Sequence, residues 1–303
     1  MGEMGETPRS AAAMKSHSAL RTPHSAFLLI SPTWRVLGLL FLAPLAIMFW
    51  LSLQRAGLYG TIEPGPTLAN YARCIEPGYV AIYGRSVWIA VATTVICLVV
   101  SYPVAYYIAL KARPERKNIL LALVVIPFWT SFLVRTYAWM FILRDQGVIN
   151  SLLMSLDIIH EPLPLLYTPL AVMIGQVYAE VPFMVLPIYA SLEKLDCSLL
   201  EAARDLGASA SAAFWRVTAP LAMPGTVAGI VLVFIPSLGT FITPDLLGGA
   251  KGILVGNLIQ NQFGPALNKP FGSAAALALT AFVLALLWTY AAWARRRGEE
   301  IAL

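Results

Sequence analysis

The sequence predicts an all-α, polytopic integral membrane protein with six transmembrane helices, and three observations lead there. Of 303 residues, 58% are hydrophobic and only 12% charged, against about 45–50% and about 25% in soluble domains. The mean hydropathy is +0.72. Six separate apolar runs each reach the roughly 20 residues that a helix needs to cross a bilayer. They leave little chain for a soluble catalytic domain.

Residues 1–32 are rich in Ser, Ala, Pro, Arg and Lys without helical periodicity, and read as a mobile cytoplasmic tail. The run 33–53 is longer than a signal-peptide core and lacks a small-residue cleavage site, so it is expected to remain as the first span. Five more runs follow, near Ser86–Leu110, Asn118–Leu143, Pro169–Ala190, Gly225–Leu247 and Ser273–Ala294. Thr168 before Pro169 reads as an N-cap followed by proline at the first helical position. Every span but the last contains proline, which predicts kinks; such breaks suit a translocation pathway and are also ordinary in membrane helices.

Six spans leave both termini on one side. With the termini inside, fourteen Lys and Arg residues fall on the inner side and six on the outer, while Arg135 lies within the third span. The positive-inside rule therefore predicts a cytoplasmic N-terminus and a cytoplasmic C-terminus. The net charge of +5 is explained by that placement and calls for no nucleic-acid partner. Cys74, Cys97 and Cys197 lie far apart, without CxxC spacing or a neighbouring His, so neither a disulfide framework nor a metal site is indicated.

The stretch 191–224, between the fourth and fifth spans, does not read as a flexible connector. Ser198 and Glu201 have capping-box spacing, the helix LLEAARDL follows, and Gly207 suits the left-handed position after it. A second short helix, about Ser209–Thr218, is expected to stop at Pro220. Leu199, Leu200, Leu206, Phe214 and Trp215 would then form an apolar docking face.

EAARDLG, nine residues, then VTAP resembles the EAA loop of ABC importer permeases, with Glu201, Ala202, Ala203, Gly207 and Pro220 matching; Val217 and Ala219 replace the usual Ile and Leu. The resemblance implies a type I (MetI-like) permease fold over 85–294, with the loop acting as a coupling helix in the cleft of a cytoplasmic ATPase. No GxxxxGK[ST] phosphate loop occurs in the chain. ATP and Mg²⁺ would accordingly be bound by partner ATP-binding subunits, with no cofactor held here. PFWTSFLVRTYAW (Pro127–Trp139), PFMVLPIYASLEKLD (Pro182–Asp196) and LGTFITPDLLGGAK (Leu238–Lys251) are similar to the spermidine/putrescine branch of that family. This implies a polyamine importer of the bacterial inner membrane, assembled with two ATPase subunits, a second permease and a substrate-binding protein outside; in that branch the second permease is usually a different chain, with a homodimer as the alternative. Opines or other small cations remain the alternative cargo.

An ammonium-bearing cargo calls for carboxylates and aromatic faces along the pathway. Glu180, mid-span and flanked by Tyr178 and Phe183, is the first candidate, and Arg135 is either its ion-pair partner or a second pathway residue. Trp129 is a pathway candidate and Trp139 an interfacial anchor. Asp245 stands at the outer end of the fifth span, where it either faces water or meets cargo; His160 reads as solvated. A secondary transporter would predict internal repeats, and an intramembrane enzyme a motif such as HExxH or GxSxG; the sequence contains neither.

Overall fold

The computed structural model describes residues 23–249 and 252–296. The chain divides into two compact units, Met1–Leu51 and Ser52–Leu303. In the first, α1 spans Pro23–Ser52, with Pro32 and Pro44 inside it. The helix thus begins ten residues before the expected first span and takes in the end of the expected tail; residues 1–22 lie outside the described residues.

The second unit opens with a small hairpin, β1 (Arg55–Ala56) against β2 (Ile62–Glu63), antiparallel with Arg55 opposite Glu63. Then come α2 (Ala69–Cys74), α3 (Pro77–Tyr106), α4 (Pro114–Val125), α5 (Phe132–Leu143), α6 (Val148–Ser155), α7 (Pro169–Glu193), α8 (Cys197–Asp205), α9 (Ala210–Ala213), α10 (Ala219–Leu221), α11 (Met223–Gly239), α12 (Val255–Phe263) and α13 (Lys269–Arg296). The hairpin, α2, α6 and α12 lie outside the apolar runs.

Among the described residues, α1, α3 with its continuation to Lys111, α7 and α13 are long and apolar enough to cross a membrane singly. Two bent pairs bring the number to six if each is one span. The expected third span is broken: 114–129 and 132–155 meet at 89°. Pro127 lies in a tight 3₁₀ turn, Ile126–Trp129, and Thr130 turns extended; its Oγ1 takes up the Pro127 carbonyl at 2.7 Å, so the ladder ends there. In the second pair, 210–221 and Met223–Gly239 meet at 65°. The expected fifth span stops at Gly239, because Thr240 is extended, and the chain resumes as a π-turn, Pro244–Gly248. In α7, by contrast, Pro182 and Pro187 sit within one continuous helix.

Helix α7 is the centre of the core, packed between α3 and α11. Its start follows the sequence reading: Thr168 Oγ1 accepts from Ala171 N–H at 3.2 Å with Pro169 at the first helical position. Met184, Val185, Ile188 and Leu192 are completely buried against Cys97 and Ala105 of α3 and Val233 of α11. Small residues let α11 approach closely. A Cβ on Gly225 would strike the Pro187 carbonyl and the Ser191 side chain, and one on Gly229 would lie 2.7 Å from Met184 Sδ. Gly225 and Gly229 are four apart on one face, the spacing that lets membrane helices pack backbone to backbone.

Candidate functional site

Two regions carry the candidate residues. The first is the loop from Ser191 to Pro224. Its first helix is capped by Asp196, whose Oδ1 accepts from Ser198 N–H at 2.9 Å. The expected Ser198–Glu201 capping box does not form, because the cap lies two residues earlier. The backbone N–H bond at Ser198 holds the Asp196 carboxyl below its ordinary range.

The end of that helix matches the sequence reading. Gly207 has φ +81°; its N–H donates to Arg204 C=O at 2.8 Å, and Ala208 N–H donates to Ala203 C=O at 3.0 Å. This pair of bonds is the Schellman motif, with glycine in its left-handed position. Ser209 Oγ then accepts from Ala212 N–H at 3.2 Å and starts α9. The second helix is not stopped by Pro220. It widens into a π-turn at Phe214–Thr218 and continues through Pro220 to Leu221. The wider turn accommodates the missing proline N–H, since Ala219 N–H reaches back to Phe214 C=O.

The loop presents one apolar face and one polar face. Leu206 is 88% exposed and Trp215 69%, with Leu199 also outward. Glu201, Ala202, Arg204 and Pro220 are exposed, and Ala203 is half-buried. Phe214 departs from the expectation: it points inward, edge-on to Tyr102 at 5.5 Å and Tyr106 at 5.9 Å, with Trp215 on its outer side at 5.0 Å.

The second region comprises Glu180 on α7 and the aromatic group that receives Arg135. Glu180 Oε2 is buried and has no hydrogen-bond partner. Leaving such an oxygen unpaired is costly. Arg135 does not supply the partner: its Nε and Nη1 are themselves buried and unbonded. The expected ion pair is therefore absent. Instead, the guanidinium lies over aromatic rings, 5.5 Å from Phe128, 5.9 Å from Phe132 and 6.0 Å from Tyr178, an arrangement that replaces lost hydration by ring quadrupoles.

Tyr178 also meets Trp139 edge-on at 5.6 Å, so Trp139 joins this aromatic group. Phe128 packs on Phe183 at 4.9 Å. The structure thus joins Arg135 and Tyr178. Trp129 stands apart, 85% exposed at the helix break. Asp245 is exposed and lines a different small cavity, about 260 Å³, with Asn257 and Asn261. His160 is exposed.

Polar bonds join α3 to α7 on either side of Glu180 in the sequence. Thr93 Oγ1 donates to Gln176 Oε1 at 3.0 Å, and Ser101 Oγ donates to Val181 C=O at 3.4 Å. Sequence reasoning did not single out Thr93, Ser101 or Gln176, since single polar residues in apolar runs carry no local signal of their partners. It also passed over Asp196 as a cap and the Gly225/Gly229 pair, both of which had a readable spacing.

Comparison with known proteins adds the following. Residues 101–298 match the family model described as "Binding-protein-dependent transport system inner membrane component". The chain is 44% identical over 224 residues to the spermidine/putrescine transport system permease protein PotB of Haemophilus influenzae, covering 74% of this chain and 78% of that protein. It is 43% identical over 237 residues to PotB of Escherichia coli, covering 78% and 86%. With the Escherichia coli inner membrane ABC transporter permease protein YdcU, identity is 33% over 291 residues, covering 91% of each. A chain from the crystal structure of a bacterial ABC transporter that imports the acidic polysaccharide alginate superposes with a TM-score of 0.72 at 15% identity, covering 89% of this chain and 95% of that one.

Proposed function

This chain belongs to the family of binding-protein-dependent transport system inner membrane components, and from that premise we propose that it is the permease subunit of an ATP-driven importer of spermidine and putrescine. The observation that carries the reading is the 43–44% identity to spermidine/putrescine permeases across about three quarters of the chain. A buried carboxylate oxygen without a partner, at Glu180, is a group that an ammonium cargo could satisfy.

The loop 191–224 is the coupling element. Glu201, Ala202, Ala203, Gly207 and Pro220 shape it, and Leu206 and Trp215 dock into a partner ATPase that binds ATP and Mg²⁺. A substrate-binding protein delivers cargo from outside, and a second, different permease completes the pathway. Glu180 and Tyr178 contact the cargo in transit. Arg135 sets the charge of the wall, and Trp129 and Asp245 are secondary pathway positions.

Both termini are cytoplasmic on this reading, because Lys and Arg concentrate on that side. The three native cysteines are replaced by alanine, and single cysteines are placed at two exposed positions. Leu206→Cys should resist an impermeant thiol reagent in intact cells, whereas Tyr59→Cys should react; the reverse pattern inverts the topology. Native Cys74 is a poor reporter, since it is buried and burial pushes its thiol pKa up.

The function is tested by uptake of radiolabelled spermidine and putrescine into proteoliposomes containing the assembled transporter, with trehalose and an opine as competitors. Uptake should require ATP and be blocked only by polyamines. Glu180→Gln should reduce it about 10- to 100-fold, the equivalent of one charged hydrogen bond of about 1.5–3 kcal/mol, with assembly intact. A further Arg135→Gln change should not restore it. ATP-dependent uptake of another solute in place of polyamines would overturn the substrate, and full activity in Glu180→Gln would remove that residue from the pathway.

A further inference from the structure

The loop that carries the docking residues also holds one aromatic side chain that faces the other way. Phe214 lies directly before Trp215 in sequence, yet Trp215 is outward and Phe214 is lodged against α3. Its flanks are tight, with Ala213 5% and Thr218 1% exposed. The receiving residues, Tyr102 and Tyr106, are four apart and lie on one face of α3. Both sides of the contact are adjacent to π-turns, Tyr107–Lys111 at the end of α3 and Phe214–Thr218 in the loop.

Neither the Tyr102 hydroxyl nor Thr218 Oγ1 has a hydrogen-bond partner. Ring edges and faces therefore make the grip, without a directional bond that would have to break when the loop moves. From this socket the route to the candidate pathway is short. Tyr102 follows Ser101, whose hydroxyl donates to the carbonyl of Val181, the residue after Glu180.

We propose that Phe214, wedged against Tyr102 and Tyr106, is the positioning residue that transmits movement of the ATPase-docked loop into α3, and through the α3–α7 seam to the level of Glu180. This rests on the reading of the loop as the coupling element. The joint passes motion because Phe214 sits against two rings of α3, and coupling between sites is carried by chains of packed side chains.

The test uses the complete transporter in proteoliposomes, with ATP hydrolysis and spermidine uptake measured on the same vesicles. Phe214→Ala should keep the ATPase co-purifying at wild-type stoichiometry, while molecules transported per ATP fall about 2- to 30-fold. Phe214→Trp should restore most of the ratio, and Phe214→Leu, which keeps apolar bulk without a ring, should be intermediate. Tyr102→Ala combined with Phe214→Ala should be little worse than either alone, as expected for two halves of one joint.

An unchanged transport-to-hydrolysis ratio in Phe214→Ala would overturn the proposal. Loss of the ATPase from Phe214→Ala and Phe214→Leu alike would overturn it too, since the residue would then be a docking contact. The underlying loop reading fails separately. If Leu206→Asp together with Trp215→Ala still retains the ATPase at full stoichiometry, the outward face is not the docking surface.

Discussion

In the α7–α11 loop, the turns are held by neighbours in sequence: Asp196 caps Ser198, Ala208 returns to Ala203, and Ser209 caps Ala212. Along the α3–α7 seam the contacts are of another kind. Thr93 reaches Gln176 across 83 positions and Ser101 reaches Val181 across 80, and the fit of α11 on α7 depends on two missing side chains, at Gly225 and Gly229. The loop is a locally encoded surface on a seam encoded by long-range packing. Disturbing the seam should remove the folded protein, whereas disturbing the loop should leave a folded protein that no longer works with its partner.

The seam should show the largest effect. Gly225→Leu places a side chain onto the Pro187 carbonyl, a backbone atom that cannot rotate away. Overpacking of this kind costs about 1–3 kcal/mol or more, a large share of a marginal stability. Size-exclusion of the detergent-solubilised chain should show loss of the monodisperse peak. Gly239→Ala on the same helix has open space around it and should leave the peak unchanged. Equal profiles for the two variants would mean that the close approach at Gly225 does not hold the seam.

Next comes the left-handed turn. A Cβ on Gly207 would meet nothing within 4 Å, so the penalty for Gly207→Val is conformational, about 1–2 kcal/mol or more for a β-branched residue at positive φ. The membrane level should stay near wild type while ATPase association and uptake fall about tenfold. Gly207→Asn, which tolerates that region, should retain more activity than Gly207→Ala. The opposite order would mean that space, and not backbone geometry, governs the site.

How much of this was legible follows from the same contrast. Apolar runs marked where the chain crosses lipid, and Thr168 and Gly207 were readable because a cap or a left-handed turn is decided within a few residues. Proline marked Pro127 as a kink, but the run stays apolar on both sides, so hydropathy did not show that the helix would break there by 89° while α7 continues through Pro182 and Pro187. Phe214 was misplaced because adjacent helical residues stand about 100° apart, and the sequence alone does not tell which of two neighbouring aromatics turns to the core. Arg135 and Glu180 suggested an ion pair on charge alone; the aromatic rings that receive Arg135 instead come from Phe128, Phe132 and Tyr178, on different elements.

The smallest effect belongs to the cap at the start of α8, and it carries a pH signature. The Asp196 carboxyl is held below its ordinary range by the backbone bond from Ser198. A carboxylate depressed in the folded state contributes stability that is present above its unfolded value and lost as pH falls through the folded one. The cap should therefore be intact at neutral pH and weaken only under acidic conditions, below the usual carboxylate range. Protection factors for hydrogen exchange at the Leu199 and Leu200 amides, with the intrinsic pH dependence of exchange divided out, should fall in the wild type at low pH. Asp196→Ala should show the lowered protection at every pH, and Asp196→Asn, an uncharged cap, should remain protected without the acid transition. Because the group is fully exposed, water and salt weaken its effect, and uptake at neutral pH should change little in either variant. A pH-independent protection factor in the wild type would mean that the charge of Asp196 plays no part in starting the helix.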